Sequence, residues 1–373
     1  MLSGDNGILQ RATDAKTYTG VGQEKETIAL AYNSALAKKA SNGNSNAVTD
    51  SELNDELDNS EATASGNPII VTFTKSGNVY EIDSNGRIKP NTPKDPNQKD
   101  INDLEVGDYV EYGAKLTKES YSTSTSETGY NSSQTFETDT DMLWRVISKS
   151  DEKVELVATQ NVLANDNATG LYLKGRTGFL NAETVLKNLC ETLYNSSYGT
   201  SRSINVEDIN NLTRYAPETS ATNYNKTYTF TSCGPFWKKD ENDNESFEIA
   251  SESNPITVKN NFYYYTIAEN IPLYDTLIAE SKTYSGDYSE TNYPLFYWLG
   301  TRCVYIDDGY EYDQYYYLRS VFKGAVSGGE LYNVDAYSDS DKDYSCAVRP
   351  IVVLNSGIKI TDGDGSQATP YKL

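Results

Sequence analysis

Apolar residues recur at Ile8, Leu9, Ala12 and Ala15, then at Ile28, Leu30, Ala31, Ala35 and Leu36. These spacings are close to helical and predict one long helix from about Asn6 to Ala40. At 1.5 Å per residue such a helix reaches ~50 Å. Gly20 and Gly22 weaken its middle and are expected to bend it. A narrow apolar stripe on so long a rod needs a partner surface along one side. After the polar stretch SNGNSNAV at 41–48, Thr49 and Glu52 form a capping box opening a short helix with Leu53 and Leu57 on its apolar face. Alternation then takes over. Ile69 to Phe73 and Val79 to Ile82 flank a Ser-Gly-Asn turn at 76–78, and Asn85-Gly86 marks a second turn before Arg87-Ile88.

Residues 89–103 hold three prolines among polar groups and read as a linker. The pattern thus predicts a first unit at 1–90 and a second at 104–373. In the second unit, Tyr109 to Tyr112 reads as a strand. Residues 117–141, rich in Ser, Thr and Tyr, read as a mobile insertion. Trp144 to Ile147 and Val154 to Ala158 read as a hairpin across Lys149–Lys153. An amphipathic helix is expected over 181–198, with Val185, Leu186, Leu189 and Leu193 on one side. A short helix is expected from Glu207 to Leu212, an acidic loop over 238–256, and a last strand from Ala347 to Leu354. The fold class read from this pattern is α+β, a long helix packed on a small antiparallel sheet followed by a larger mixed domain.

Composition changes the picture further. The 373 residues contain no histidine, which removes Ser-His-Asp and Cys-His catalysis, HExxH zinc sites and facial-triad iron sites. The formal charge is −22, which argues against nucleic acid and anionic lipid, because both require a cationic face. Tyrosine, at 31 residues, must supply much of the buried area. No run of eighteen apolar residues exists to span a membrane. Abundant Asn, Ser, Thr and Tyr with modest Lys suits an extracellular surface.

Two stretches resemble known bacterial surface proteins. LSGDNGILQRATDAK and QEKETIALAYNSALAKK, within Leu2 to Lys39, with the hairpin VTFTKSGNVYEIDSNGRI at 71–88, resemble type IV pilin-like proteins of Gram-positive anaerobes. In that family a leader and an apolar half-helix precede this point. The resemblance implies a trimmed ectodomain with Met1 as an added start and a membrane anchor upstream. It also implies contacts with other pilin subunits through the helix. The second stretch spans about 104–373. VGDYVEYG, LWRVISKSDEKVELVA, RSINVEDINNLT, FYWLGTR, YYYLRS, AVRPIVVL and DGDGSQATPYKL together resemble a bacterial surface domain of no established activity. That domain is similar in turn to the C-type lectin-like and formylglycine-generating-enzyme-like fold.

Several residues are candidates for chemistry. Tyr263, Tyr264, Tyr265, Tyr297 and Trp298, with Tyr315, Tyr316 and Tyr317, form a candidate aromatic platform for sugars or proteins, since rigid rings give contact area at small entropic cost. Alternatively, alternate tyrosines point into a tyrosine-rich core. Arg319 and Arg349 either bind a carboxylate or stack on a sugar, or are buried guanidiniums satisfied inside the fold, the commoner case. Asp339, Asp341 and Asp343 alternate as calcium ligands would, and calcium is the one cofactor entertained; a solvated acidic turn is the commoner reading. The four cysteines, Cys190, Cys233, Cys303 and Cys346, fit either two disulfides or four free thiols, with Cys303–Cys346 and Cys190–Cys233 the favoured pairs.

The function expected from these features is non-enzymatic: a cell-surface or pilus-associated protein displaying an adhesive domain to host glycan or protein. The alternatives are a calcium-dependent carbohydrate-binding domain or enzyme on a lectin-like fold, and a purely structural minor pilin.

Overall fold

A computed structural model describes residues 5–41, 43, 47–57, 61–83, 86–90, 99–150, 153–165, 169–282, 295–307, 313–334 and 339–373, with the backbone alone at 5–21, 90 and 280. The chain divides into two compact units, Met1–Asn97 and Gln98–Leu373. The division falls inside the proline-containing stretch.

The first unit opens with α1 (Asp5–Ser41), helical without interruption across Gly20 and Gly22, and α2 (Asp50–Leu57). The capping box is formed: the Thr49 N–H donates to Glu52 Oε2 at 2.8 Å, and the Glu52 N–H to Thr49 Oγ1 at 3.3 Å. Four strands follow, β1 (Ala62–Ser65), β2 (Ile69–Phe73), β3 (Val79–Ile82) and β4 (Ile88–Pro90), as an antiparallel meander in sequence order. Ile69, Val71 and Phe73 alternate inward with Tyr80 and Ile82 of the paired strand. They share one core with Ile28, Ala31 and Ala35 of α1 and Leu53 and Leu57 of α2. Tyr80 and Asn78 both donate to Glu24 at 2.8 Å, which ties the hairpin to α1. The apolar stripe of α1 is narrower than its sequence suggests, because Leu30 and Leu36 stay exposed. The residues of its first half, Ile8 to Ala15, have side chains outside the described set.

The second unit begins inside the expected linker. A 3₁₀ turn at Ile101–Asp103, capped by Asp100, buries Ile101 beside Leu104. Then come β5 (Tyr109–Val110), β6 (Ser120–Ser122), α3 (Thr125–Thr128), β7 (Thr135–Glu137), β8 (Trp144–Ser150), β9 (Lys153–Ala158), β10 (Leu171–Lys174) and α4 (Gly175–Tyr194). The chain continues through β11 (Gly199–Ser203), α5 (Val206–Thr213), α6 (Pro217–Ser220), β12 (Thr227–Phe230), β13 (Phe236–Lys239), β14 (Glu245–Glu248), β15 (Ile256–Lys259) and β16 (Tyr265–Thr266). It ends with α7 (Tyr274–Leu277), α8 (Ala279–Lys282), β17 (Tyr297–Asp307), β18 (Asp313–Phe322), β19 (Ala325–Val334), β20 (Asp339–Asp341), β21 (Asp343–Cys346) and β22 (Pro350–Leu354).

Two antiparallel sheets dominate. One has the order β11-β22-β9-β8-β5; the other has the order β16-β19-β18-β17, with β20 paired to β19. A parallel bridge between Tyr297 and Ala347 joins them, with the Trp298 N–H donating to the Ala347 carbonyl at 3.0 Å. On one side, α4 buries Phe179, Ala182, Val185, Leu186, Leu189 and Leu193 against Trp144, Val146 and Leu156 of the first sheet and Trp298, Tyr316 and Leu318 of the second. On the other side, Ile147, Val157 and Ile351 meet α5, α7, Tyr263 and Ile267 in a second core. The strand alternation therefore feeds two cores, one on each face. Among the described residues no helix is long and apolar enough to cross a membrane.

Three expectations need correction. Residues 117–141 form no mobile insertion but a β6–β7 hairpin carrying capped α3. Phe136 is fully buried there, and the Gln134 side chain donates to the Gly170 carbonyl at 2.7 Å and accepts from the Tyr172 N–H at 2.8 Å. The acidic segment at 238–256 includes β14, which pairs with β13. The amphipathic helix starts earlier than expected, at Gly175, whose φ of +60° turns the chain out of β10.

The cysteines form no disulfides. Cys190, Cys303 and Cys346 are buried free thiols and Cys233 is an exposed one. Cys190 packs in α4, Cys303 sits on β17 opposite Tyr317, and Cys346 sits on β21 opposite Leu171, so neither favoured pair forms. Burial pushes all three buried thiols up, Cys303 to about 11. An aromatic disulfide reagent is expected to titrate one thiol in the native protein and four after unfolding; fewer than four on unfolding without reductant would revive the disulfides.

Candidate functional site

The Tyr-rich runs part company according to strand phase. On β18, Tyr316 and Leu318 face α4, while Tyr315, Tyr317, Arg319 and Val321 face the other way. Trp298, Tyr297 and Tyr316 are each within 1 % of full burial, so they belong to no exposed platform. Trp298 donates through Nε1 to the Leu171 carbonyl at 2.9 Å. The Tyr316 hydroxyl donates to Gln314 at 2.8 Å and accepts from the Trp237 N–H at 3.1 Å. Tyr297 lies under Arg349, 4.6 Å from the guanidinium. The demand for buried area outweighs display here, because α4 offers an apolar face to Trp298 and Tyr316 on one side of the sheet and the second core takes Tyr297 on the other.

The remaining rings do assemble. Tyr263 and Tyr265 point the same way from the 261–266 segment, and Tyr215, just after α5, stacks on Tyr265 with centroids 3.8 Å apart and planes 7° from parallel. Tyr215 also lies 5.4 Å from Tyr263, and Tyr224 meets Tyr263 edge-on at 5.4 Å. Asn210 of α5 holds both hydroxyls: its Nδ2 donates to Tyr263 at 2.7 Å, and its Oδ1 accepts from Tyr265 at 2.9 Å. Burial raises the pKa of Tyr263, Tyr265 and Tyr215 above the ordinary phenol value, so these rings stay uncharged at neutral pH.

Arg319, 2 % exposed, is the pin of this cluster. Its guanidinium lies 3.8 Å from the Tyr263 ring centroid. Nη1 donates to the Tyr263 carbonyl at 3.1 Å and Nη2 to the Asn261 carbonyl. The fork is spent on backbone, so Arg319 is the internally satisfied guanidinium and not an anion receptor. Arg349 is likewise internal, its Nε on Asn161 at 2.8 Å.

Above this cluster opens a cleft of about 370 Å³. Tyr215 and Tyr263 give its aromatic base. Phe262, Tyr264 and Tyr305 contribute further rings, and Ser220, Thr222, Asn223 and Asn260 supply the polar groups. Among the described residues no charged side chain lines it. Tyr264, 59 % exposed, stands at its mouth. Asn260 is 2 % exposed; its Oδ1 accepts from the Phe262 N–H at 3.2 Å, while its Nδ2 meets no acceptor among the described residues. Of the aromatic and arginine candidates read from sequence, Tyr263 and Tyr264 line the cleft, and Tyr265 and Arg319 pack beside Tyr263. The polar wall from 220–223 was missed, and its only sequence sign is a Thr-Asn-Tyr-Asn turn.

Asp339, Asp341 and Asp343 do not converge. Asp339 accepts from the Tyr332 hydroxyl at 2.9 Å on β20, and Asp341 abuts Gly175 and the Arg176 N–H. Asp343 starts another strand, paired to Lys174. Among the described residues no three acidic or cysteine side chains form a metal-holding group. In the DGDG turn, Asp364 is held down at about 2, chiefly by the Thr369 hydroxyl and the Ser366 N–H, and is a turn-closing group. Comparison with known proteins finds no matching family model, no matching curated protein and no matching solved structure.

Proposed function

We propose that this chain is a non-enzymatic display protein of a cell surface or pilus, whose second unit carries a ligand-binding cleft. The observation that supports it most is the cleft in which tyrosine rings meet a polar wall with no charge among the described residues, because small-molecule and glycan sites set placed polar groups beside aromatic rings in a concave surface. The cleft's size also falls within the ~300–1,000 Å³ common for such sites. The first unit suits a role in attachment. Its 37-residue α1 is a rod whose inner stripe is used by the sheet, while Leu30 and Leu36 remain exposed for subunit contacts. The resemblances to type IV pilin-like proteins and to a lectin-like surface domain agree with this reading, as does the acidic, histidine-free composition.

The full chain, probed against arrays of glycans and immobilised extracellular proteins, is expected to bind a defined subset saturably. Tyr264→Ala is expected to weaken that binding about tenfold, equivalent to ~1.4 kcal/mol, with an unchanged unfolding midpoint because the ring is exposed. Uniform background for the wild-type chain would remove the reading.

A further inference from the structure

The aromatic surface does not stop at the cleft. Phe262 and Tyr305, both lining it, continue into a row of rings along β17 and β18. Phe262 lies 5.1 Å from Tyr317 and 5.6 Å from Tyr305; Tyr315 lies 6.2 Å from Tyr317 and 5.9 Å from Tyr305. All three tyrosines are partly exposed and share the face of Arg319, away from α4.

Resting on the binding role proposed above, we infer that the cleft and this row form one extended site for a neutral oligosaccharide. The cleft takes a terminal sugar and the row takes the residues that follow. Three observations carry this. First, the surroundings offer no counter-charge to an anion: among the described residues no cationic side chain lines the cleft, the Arg319 fork is consumed by backbone carbonyls, and Asp313 and Glu330 flank the row. An anionic sugar or acidic peptide would meet repulsion with nothing to offset it. Second, the polar inventory fits hydroxyls. Asn260 Nδ2 is a nearly buried donor without an acceptor among the described residues, beside Thr222, Asn223 and Ser220, while exposed Tyr264 and partly exposed Phe262 and Tyr305 offer aromatic surface to the C–H side of a pyranose. Third, a peptide would most simply add as a strand on the β17 edge. At Val304 that edge is already taken: Asn261 and Phe262 donate to its carbonyl, and its N–H donates to Asn261 Oδ1 at 2.7 Å.

The test is calorimetry on the full chain with neutral gluco-, galacto-, manno- and N-acetylhexosamine series, each from one to four residues, alongside uronic-acid and sulfated counterparts. One neutral series is expected to gain at least tenfold in affinity from monosaccharide to tetrasaccharide, with the acidic counterparts at least tenfold weaker. Tyr315→Ala is expected to remove the gain with length, whereas Tyr264→Ala weakens every length. The length dependence of the wild-type chain reads the inference without any variant. Affinity independent of length overturns the extended site but leaves the cleft as a binding site. Binding confined to a protein ligand or to acidic sugars also overturns the inference while the binding role stands. Absence of binding to every saccharide and protein probed removes both.

Discussion

Arg319→Ala is expected to destabilise the second unit by roughly 3 kcal/mol, because it leaves the buried Tyr263 carbonyl and the part-buried Asn261 carbonyl without their donor and opens a cavity in a packed region. The guanidinium is 2 % exposed, and it bridges the Asn261 and Tyr263 carbonyls while supporting the Tyr263 ring from 3.8 Å. Arg319→Lys is expected to recover only part of the loss, since a lysine presents one compact cation and cannot hold two carbonyls with a planar fork. Urea unfolding of both variants measures this directly. The same substitutions are expected to weaken ligand binding, since the Tyr263 base of the cleft loses its support. A stable Arg319→Ala protein with unchanged binding would show that the segment 261–265 holds its own conformation.

Trp298→Ala carries the other large effect, about 3–5 kcal/mol for truncating a fully buried indole. Trp298 is 0 % exposed, donates to the Leu171 carbonyl at 2.9 Å and packs beside Tyr344 at 5.7 Å. It sits where the two sheets meet, next to the Tyr297–Ala347 bridge. Gly329 reports the tightness of the fit, because a Cβ there would lie 2.5 Å from Trp298 Cη2 and 2.6 Å from Tyr344. Gly329→Ala is therefore expected to destabilise as well, by overpacking. Thermal unfolding that leaves either variant within 0.5 kcal/mol of wild type, a margin typical of ~neutral surface changes, would contradict this packing.

Periodicity made some elements legible and left others hidden. The long helix, the capping box at Thr49, the hairpins at 69–82 and 144–158 and the last strand all follow from local spacing. β1, with the sequence Ala-Thr-Ala-Ser, carries no strand signal; it is fixed by Asn54, whose side chain donates to the Ala64 carbonyl and accepts from the Ala64 N–H, both at 2.7 Å. The 117–141 segment reads as a mobile insertion in sequence because its order rests on one buried phenylalanine and on buried polar side chains, Gln134 and Thr138, that bond distant backbone. In the run Tyr315–Tyr317 alternation was readable but its phase was not. Only the position of α4 decides that Tyr316 goes inward and Tyr315 and Tyr317 outward. The same choice splits the candidate site. Tyr263, Tyr265 and Arg319 assemble because α5 supplies Asn210, while Tyr297 and Trp298 are consumed by packing. The buried thiols and scattered aspartates show the same limit: a count or a spacing in sequence does not fix which side chains meet.

A crystal structure of the full chain soaked with the tightest neutral tetrasaccharide asks the central question most directly. A terminal sugar is expected in the cleft with a hydroxyl within hydrogen-bond reach of Asn260 Nδ2, its ring near Tyr264, and the following residues over Phe262, Tyr317 and Tyr315. Ordered sugar on another face of the second unit, with the cleft holding only water, would contradict it.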